Sequence, residues 1–282
     1  MTALEPFTME FNGALFGGPS PIYLEEVDGL HDAPDMRVSD VGLMQRDGMI
    51  PGADYYGART VTVTANVLDD GKTLDGLMRA LKPGLQKPLR FCFPGVAGGR
   101  TVRVHGKVRK RSVKADNLYH KGLAKLMVEF FCADPFIYSD DQVTGLVTPP
   151  RDRPGVRAFP MRFPFNLRTK DASYSDRMVL INEGTAETWP VFRLVGPMGN
   201  PILHNTLTQQ RLILNLYLGV GEVLELDSRR RTVLYNGASR YGALDYTSEW
   251  FPLNPGTNRI ELSGSGVQTD MTADVLWRSA WI

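Results

Sequence analysis

Cysteine, histidine, net charge and long apolar runs are all scarce in this 282-residue chain, and each scarcity removes a class of function. The 32 basic and 31 acidic side chains leave a formal charge of +1, so no whole-chain field draws it onto nucleic acid or an anionic membrane. Cys92 and Cys132 both fall inside apolar, strand-like stretches, where a buried free thiol explains each without a disulfide framework. No segment approaches the roughly 18 apolar residues needed to cross a bilayer, so no membrane insertion is expected. The opening MTALEPFTMEFNG has neither a basic n-region nor an apolar h-region, and secretion by that route is not expected.

Catalytic signatures are equally thin. The chain holds no GxSxG elbow, no GxxxxGK phosphate loop and no HExxH pair, which are the spacings that place a nucleophile, a phosphate cradle or two zinc ligands on one face. His31, His105, His120 and His204 are far apart and show no metal-ligand spacing. Asp140 and Asp141 form a carboxylate pair beside Tyr138. Adjacent residues of a strand point to opposite faces, which argues against a shared acid–base or cation site. Nothing recommends an enzyme, a cofactor or a metal.

What the chain does have is punctuation. Its 28 glycines and 19 prolines fall between short alternating runs, the pattern of an all-β protein. Val61, Val63, Ala65 and Val67 alternate with Thr60, Thr62, Thr64 and Asn66, as a half-buried strand requires. Between Thr73 and Leu81 the period changes to helical, with Leu74, Leu77, Met78 and Leu81 on one stripe, Asp69 and Asp70 as capping candidates and Pro83 as the stop. Pro88–Pro94, Thr101–Val113 and Leu123–Ala133 read as further strands. The first domain, residues 1–140, is therefore a β-sheet or barrel-like structure carrying one helix.

From 141 to 165 alternation disappears, and proline and arginine dominate. This reads as an extended arm or linker, with Phe159, Phe163 and Phe165 suited to docking. Residues 166–282 return to strands at Met178–Asn182, Val191–Gly196, Arg211–Leu218, Glu222–Asp227, Arg231–Tyr235, Asn258–Ser263 and Val275–Trp281. Asn236-Gly237 is a tight-turn signal. Seven short strands with frequent turns point to a β-sandwich.

In order along the chain, VDGL at Val27–Leu30, RDGMIPGADYYGARTVTVTANV from Arg46, PLRFCFPG from Pro88 and EFFCADPFIYSD ending at Asp140 resemble the N-terminal domain of siphophage distal tail proteins. NEGTAETWPVFRLVGP from Asn182, LELDSRRRTVLYNG from Leu224, WFPLNPGTNRIEL from Trp250 and the closing VLWRSAWI resemble that family's galectin-like C-terminal sandwich. The resemblance implies a structural virion protein at the distal end of a phage tail, made in the host cytoplasm. It further implies a homo-oligomer, a hexameric ring joining the tail tube protein to the tip or baseplate hub proteins, with DNA passing through the lumen without specific binding.

Two groups of residues are candidates for contact. Alternation from Arg103 to Arg111 places Arg103, His105, Lys107, Arg109 and Arg111 on one strand face. That face can be simply solvated, can guard a sheet edge, can meet an acidic surface on a second subunit or on the tube, or can touch DNA phosphates. Tyr241, Tyr246 and Trp250, near Phe251, fit either core and interface packing or a weak tip or glycan contact, since an aromatic face packs on a sugar's C–H face. Recognition of a host cell-wall glycan is the alternative function. Arg229, Arg230 and Arg231 read as a solvated turn.

Overall fold

A computed structural model describes residues 3–68, 72–147, 174–265 and 271–282. The chain divides into two compact units, Met1–Asp141 together with Ala280–Ile282, and Gln142–Ser279.

The first unit contains β1 (Thr8–Phe11), β2 (Ala14–Phe16), β3 (Ile22–Asp28), the short strands β4 (Met36–Arg37), β5 (Val41–Gly42), β6 (Met49–Ile50) and β7 (Tyr55–Tyr56), then β8 (Arg59–Leu68), α1 (Thr73–Ala80), β9 (Gln86–Cys92), β10 (Val102–Lys114), β11 (Leu123–Cys132) and β12 (Ile137–Ser139). Its main sheet runs β2-β1-β9-β10-β11-β8-β3, with β12 joined to β10. The alternation read from the sequence sets the two faces. Val61, Val63, Ala65 and Val67 of β8 are buried, as are Ala124, Leu126, Val128, Phe130 and Cys132 of β11. Helix α1 lays Leu77 into the same core, with Leu74 and Met78 packed beside it. Phe11 and Phe130 meet there with ring centroids 4.9 Å apart, and each such buried ring contributes roughly 2–3 kcal/mol. The β1–β2 hairpin turns at Asn12-Gly13, both at positive φ (48° and 84°), which is the mirror-image turn that matches strand twist. The capping candidates Asp69 and Asp70 lie outside the described residues.

The second unit contains β13 (Val143–Val147), β14 (Tyr174–Asn182), β15 (Val191–Val195), β16 (Met198–Asn205), β17 (Arg211–Ile213), β18 (Tyr217–Leu218), β19 (Val223–Asp227), β20 (Thr232–Tyr235), β21 (Ala238–Ser239), β22 (Gly256–Ser265) and β23 (Thr272–Trp277). One sheet runs β13-β23-β15-β19-β20-β21 and the other β14-β22-β16-β17, with β18 on β16. Phe192, Leu194, Leu224 and Leu226 of the first sheet and Leu180, Leu203, Leu212, Ile260 and Leu262 of the second share one core, so the unit is a sandwich. The last strand, β24 (Ala280–Trp281), belongs to the first unit and pairs with β12 through Ile137–Trp281 and Tyr138–Ala280.

Three features differ from the sequence reading. The stretch 141–165, expected to be an arm, begins with β13, which pairs with β23 from Val143–Trp277 to Val147–Ala273; its short length and single Leu hid the strand. Phe159, Phe163 and Phe165 lie outside the described residues. The single strand expected over Arg211–Leu218 is two pieces on one partner, because Leu214 bridges to Leu244 and the Asn215 amide donates to the Ala243 carbonyl at 2.8 Å. Finally, β16 was not anticipated. Gly199 and Pro201 interrupt its pattern, and the structure accommodates them as a register shift between Gly199 and Ile202 opposite β22.

Candidate subunit interface

The basic strand β10 is not a uniform stripe. Its pairing with β11 proceeds from Lys107–Phe131 to Val108–Phe130, then jumps to Lys110–Glu129 and Arg111–Val128. The extra residue at Arg109 is a bulge, and a bulge moves every later side chain to the opposite face. His105, Lys107, Arg109 and Lys110 are exposed, and Arg109 lays its guanidinium carbon 3.8 Å above the Phe131 ring. Arg111 instead lies opposite core-facing Val128 and reaches the end of α1, donating to the carbonyls of Met78 (2.5 Å) and Leu81 (3.2 Å). A guanidinium there satisfies helix carbonyls that have no partner of their own. The predicted five-residue face therefore loses Arg111 and gains Lys110.

Arg103 leaves the solvent face for a different reason. It is buried and contacts Asp140 at 2.9 Å through one carboxylate oxygen and at 2.6 Å through the backbone carbonyl. Arg90 grips the other oxygen with Nε at 3.0 Å and Nη2 at 2.7 Å, and reaches Glu10 at 2.5 Å. The hydrogen bond to Asp140 raises the Arg90 pKa above its already high ordinary value. Asp140 thus holds β9, β10 and the end of the first unit together, which is a structural role; its neighbour Asp141 is exposed. Among the described residues no group of three or more His, Cys, Asp or Glu is placed to hold a metal ion. Both cysteines are free and buried, and burial pushes the Cys132 thiol up to about 12.

The segment between β3 and β8, read from the sequence only through its resemblance from Arg46 onward, was not anticipated as a contact surface. Residues 31–58 form a hairpin-like arm in which β4 pairs with β7 and β5 with β6. Of the 22 large hydrophobic side chains left exposed among the described residues, eight are here: Met36, Val38, Val41, Met44, Met49, Ile50, Tyr55 and Tyr56. Met44, between β5 and β6, is 102% exposed. Such a concentration marks an interaction surface, where scattered exposed hydrophobics would not. The arm also carries five aspartates (Asp32, Asp35, Asp40, Asp47, Asp54) against two arginines, a net −3.

The base of this arm is clamped. Buried Arg59 donates to the carbonyls of Pro135 (2.9 Å), Gly29 (2.8 Å), Leu30 (3.2 Å) and Asp32 (2.7 Å). Burial lowers its pKa below the ordinary guanidinium value, with Asp32 pulling the other way. Gly29 sits at φ 83° with the Thr60 carbonyl where a Cβ would be, 2.0 Å away, so no other residue fits. Tyr56 packs edge-on against Phe136 at 6.0 Å. Four carbonyls on one fixed cation give the arm a defined exit direction.

In the second unit the three aromatic candidates are not brought together. Trp250 packs against the core, Tyr246 is 96% exposed, and Tyr241 lines an open cleft with Tyr217 and Tyr235. Asp227 Oδ1 accepts from the backbone amides of Arg229 and Arg230 at 3.0 and 2.9 Å, which makes the arginine triplet an ordinary capped turn.

Residues 183–281 match the family model described as siphovirus-type tail component, C-terminal domain. The second unit is thus similar to a siphovirus-type tail component domain. The match supports a role for the chain as a structural component of a phage tail. Its whole length follows the Dit fold: the solved SPP1 Dit protein, described as a paradigm of the hub adsorption apparatus in phages infecting Gram-positive hosts, superposes with a TM-score of 0.68 at 17% identity, over 98% of this chain and 99% of that one. A chain of the phage P2 baseplate in its activated conformation with calcium gives a TM-score of 0.51 at 7% identity, over 99% and 98%. The strontium form of the phage p2 baseplate gives 0.51 at 6%, over 96% of each chain. No curated protein matches the chain. The fold is therefore Dit-like.

Proposed function

We propose that this protein is a distal tail adaptor: a closed ring of six copies, built through the first unit, that joins the tail tube to the tip or baseplate hub. The observation that carries the proposal is the clamped arm at 31–58. An acidic, apolar-tipped arm and a basic strand face (His105, Lys107, Arg109, Lys110) on the same unit are complementary in charge. Each patch is therefore satisfied by the other patch on a second copy, and where that contact is head-to-tail it closes into a ring when the rotation is right. Complementary charge sets orientation and rate of docking more than affinity.

Covering the eight apolar side chains yields roughly 1–1.5 kcal/mol each, or about 10 kcal/mol in total. Association costs of about 4–15 kcal/mol offset this, so one arm alone is marginal and ring closure, which gives each copy two such contacts, supplies the rest. The tube protein and hub proteins are the remaining partners, and the near-neutral chain suits a lumen through which DNA passes without specific binding. The place of action is the distal end of the virion tail.

The test is assembly of the full chain with Val41, Met44, Met49 and Ile50 all changed to Ser. Removing about 4–5 kcal/mol of apolar contact should weaken association roughly a thousandfold, leaving a folded monomer with the circular dichroism of the parent. A quadruple variant that assembles like the parent overturns the assignment of the arm.

A further inference from the structure

We propose that the open cleft on the second unit, between the Asn215–Tyr217 segment and the β20–β21 hairpin with its following turn, is a binding site for a sugar residue of a glycan. The cleft has a volume of about 780 Å³ and is lined by Asn215, Leu216, Tyr217, Tyr235, Ser239, Arg240, Tyr241, Gly242 and Ala243. That is the size range of small-molecule sites. Tyr217 and Tyr241 are 61% and 53% exposed, so their rings are not held there by core packing.

The local backbone fixes both walls. Asn236 and Gly237 take positive φ (47° and 81°) to form the tight hairpin, and the Arg240 amide returns to the Val233 carbonyl at 2.9 Å. The turn that follows is tied to the opposite wall by the Asn215 amide on the Ala243 carbonyl at 2.8 Å. Tyr235 is anchored by its hydrogen bond to Glu222, which lowers the Glu222 pKa and raises that of Tyr235. Glu222 is itself held by the Gly219 amide at 2.6 Å. The Asn215 side chain is oriented by donating to Asp245 at 3.1 Å, which leaves its carbonyl oxygen available as an acceptor.

The chemistry on offer is that of a polyhydroxylated ring. Tyrosine faces pack against the C–H side of a pyranose and lose little rotamer freedom in doing so. The hydroxyls of Tyr217, Tyr241 and Ser239 and the Arg240 guanidinium make no hydrogen bond among the described residues, and they supply the donors and acceptors that sugar hydroxyls need. A nucleic-acid strand is a poorer fit. Arg240 is the one cation in the lining, with the Glu222 and Asp245 carboxylates tied to its walls, and phosphate contact requires clustered positive charge. A shallow open cleft binds weakly per copy, and repetition of the site around a multimer raises avidity without new contacts.

The experiment is saturation-transfer NMR on the full chain with glucose, galactose, rhamnose, N-acetylglucosamine and glucuronate as separate probes. The native mass is measured on the same sample, so that failure of assembly and failure of binding are read independently. The expected result is transfer to the ring C–H protons of at least one probe, reduced at least tenfold in Tyr217→Ala and in Tyr241→Ala but retained in Tyr246→Ala. Unchanged melting in the two cleft variants is expected from their exposure. Absence of transfer to all five probes, or equal transfer in all three variants, overturns the site.

Discussion

Arg59→Met is the sharpest single perturbation of the arm. The Arg59 guanidinium holds four carbonyls, and two of these, from Leu30 and Pro135, are in fully buried hydrogen bonds. Leaving each without a donor costs about 1–3 kcal/mol. Methionine relieves part of this, because it removes a cation whose burial is unfavourable enough to lower its pKa. The Gly29 and Asp32 carbonyls are only part-buried and recover hydrogen bonds from water. A net loss of about 3 kcal/mol remains. For a unit of this size each kcal/mol moves the melting temperature by roughly 3 °C, so calorimetry should show one transition falling by about 10 °C while the other stays in place. Proteolysis within 31–58 should accelerate in parallel, and assembly should fail at temperatures where the variant is still folded. A shift below about 3 °C with the arm equally protected would refute the clamp.

Arg111→Met should lower stability by about 1–2 kcal/mol through the lost helix-end hydrogen bonds while leaving the native mass unchanged, whereas Arg109→Glu should weaken assembly while costing no more than about 1 kcal/mol of stability from the lost contact with Phe131; native mass and calorimetry on both variants separate the two roles. Asp140→Asn should cost about 3 kcal/mol, since it removes the carboxylate charge that faces buried Arg103 and one of the two that face half-buried Arg90, and a urea titration reads it directly. Cys132, with its pKa pushed up to about 12, should resist iodoacetamide at pH 8 until the protein unfolds, as mass spectrometry of the labelled peptide will report. The pKa of Glu25 is lowered from 4.5 by its hydrogen bond to Lys125, and that of Asp245 from 3.8 by Thr247. A depressed carboxylate contributes stability above its unfolded value that is lost as pH falls through the folded one. Melting temperature should therefore decline below about pH 4.5, and Glu25→Gln should flatten part of that decline.

The elements most legible in the sequence were those whose pattern coincides with their burial. Val61–Val67 alternates because β8 has one face in the core. Asn236-Gly237 announces its hairpin because few residues other than glycine and asparagine take positive φ readily. The same Asn-Gly signal stood at Asn12-Gly13 and marked β1–β2, but the strands it joins are only four and three residues long, too short to show a period. The basic strand misled at one point for a physical reason. Alternation counts residues, while a bulge inserts one without a partner, and nothing in the string Val108-Arg109-Lys110 reveals the insertion.

The arm was hidden by a different logic. Its apolar residues are spaced irregularly between Asp, Gly and Pro, so no periodicity marks it, and the exposure that identifies it is a property of three-dimensional structure alone. The tyrosine cleft is assembled from residues up to 28 apart in sequence, Asn215 to Ala243. Only Tyr241 among the predicted aromatics belongs to it, because Trp250 was drawn into the core.

Zero-length carbodiimide cross-linking of an equal mixture of isotopically light and heavy full-length protein tests the central claim most directly. If the arm of one copy lies on the basic strand of the next, mixed-isotope links should join Asp40, Asp47 or Asp54 to Lys107 or Lys110, in a species whose native mass is that of a closed ring of six. Links confined to single-isotope pairs, or a protein that stays monomeric at every concentration while its arm remains uncross-linked, would contradict it.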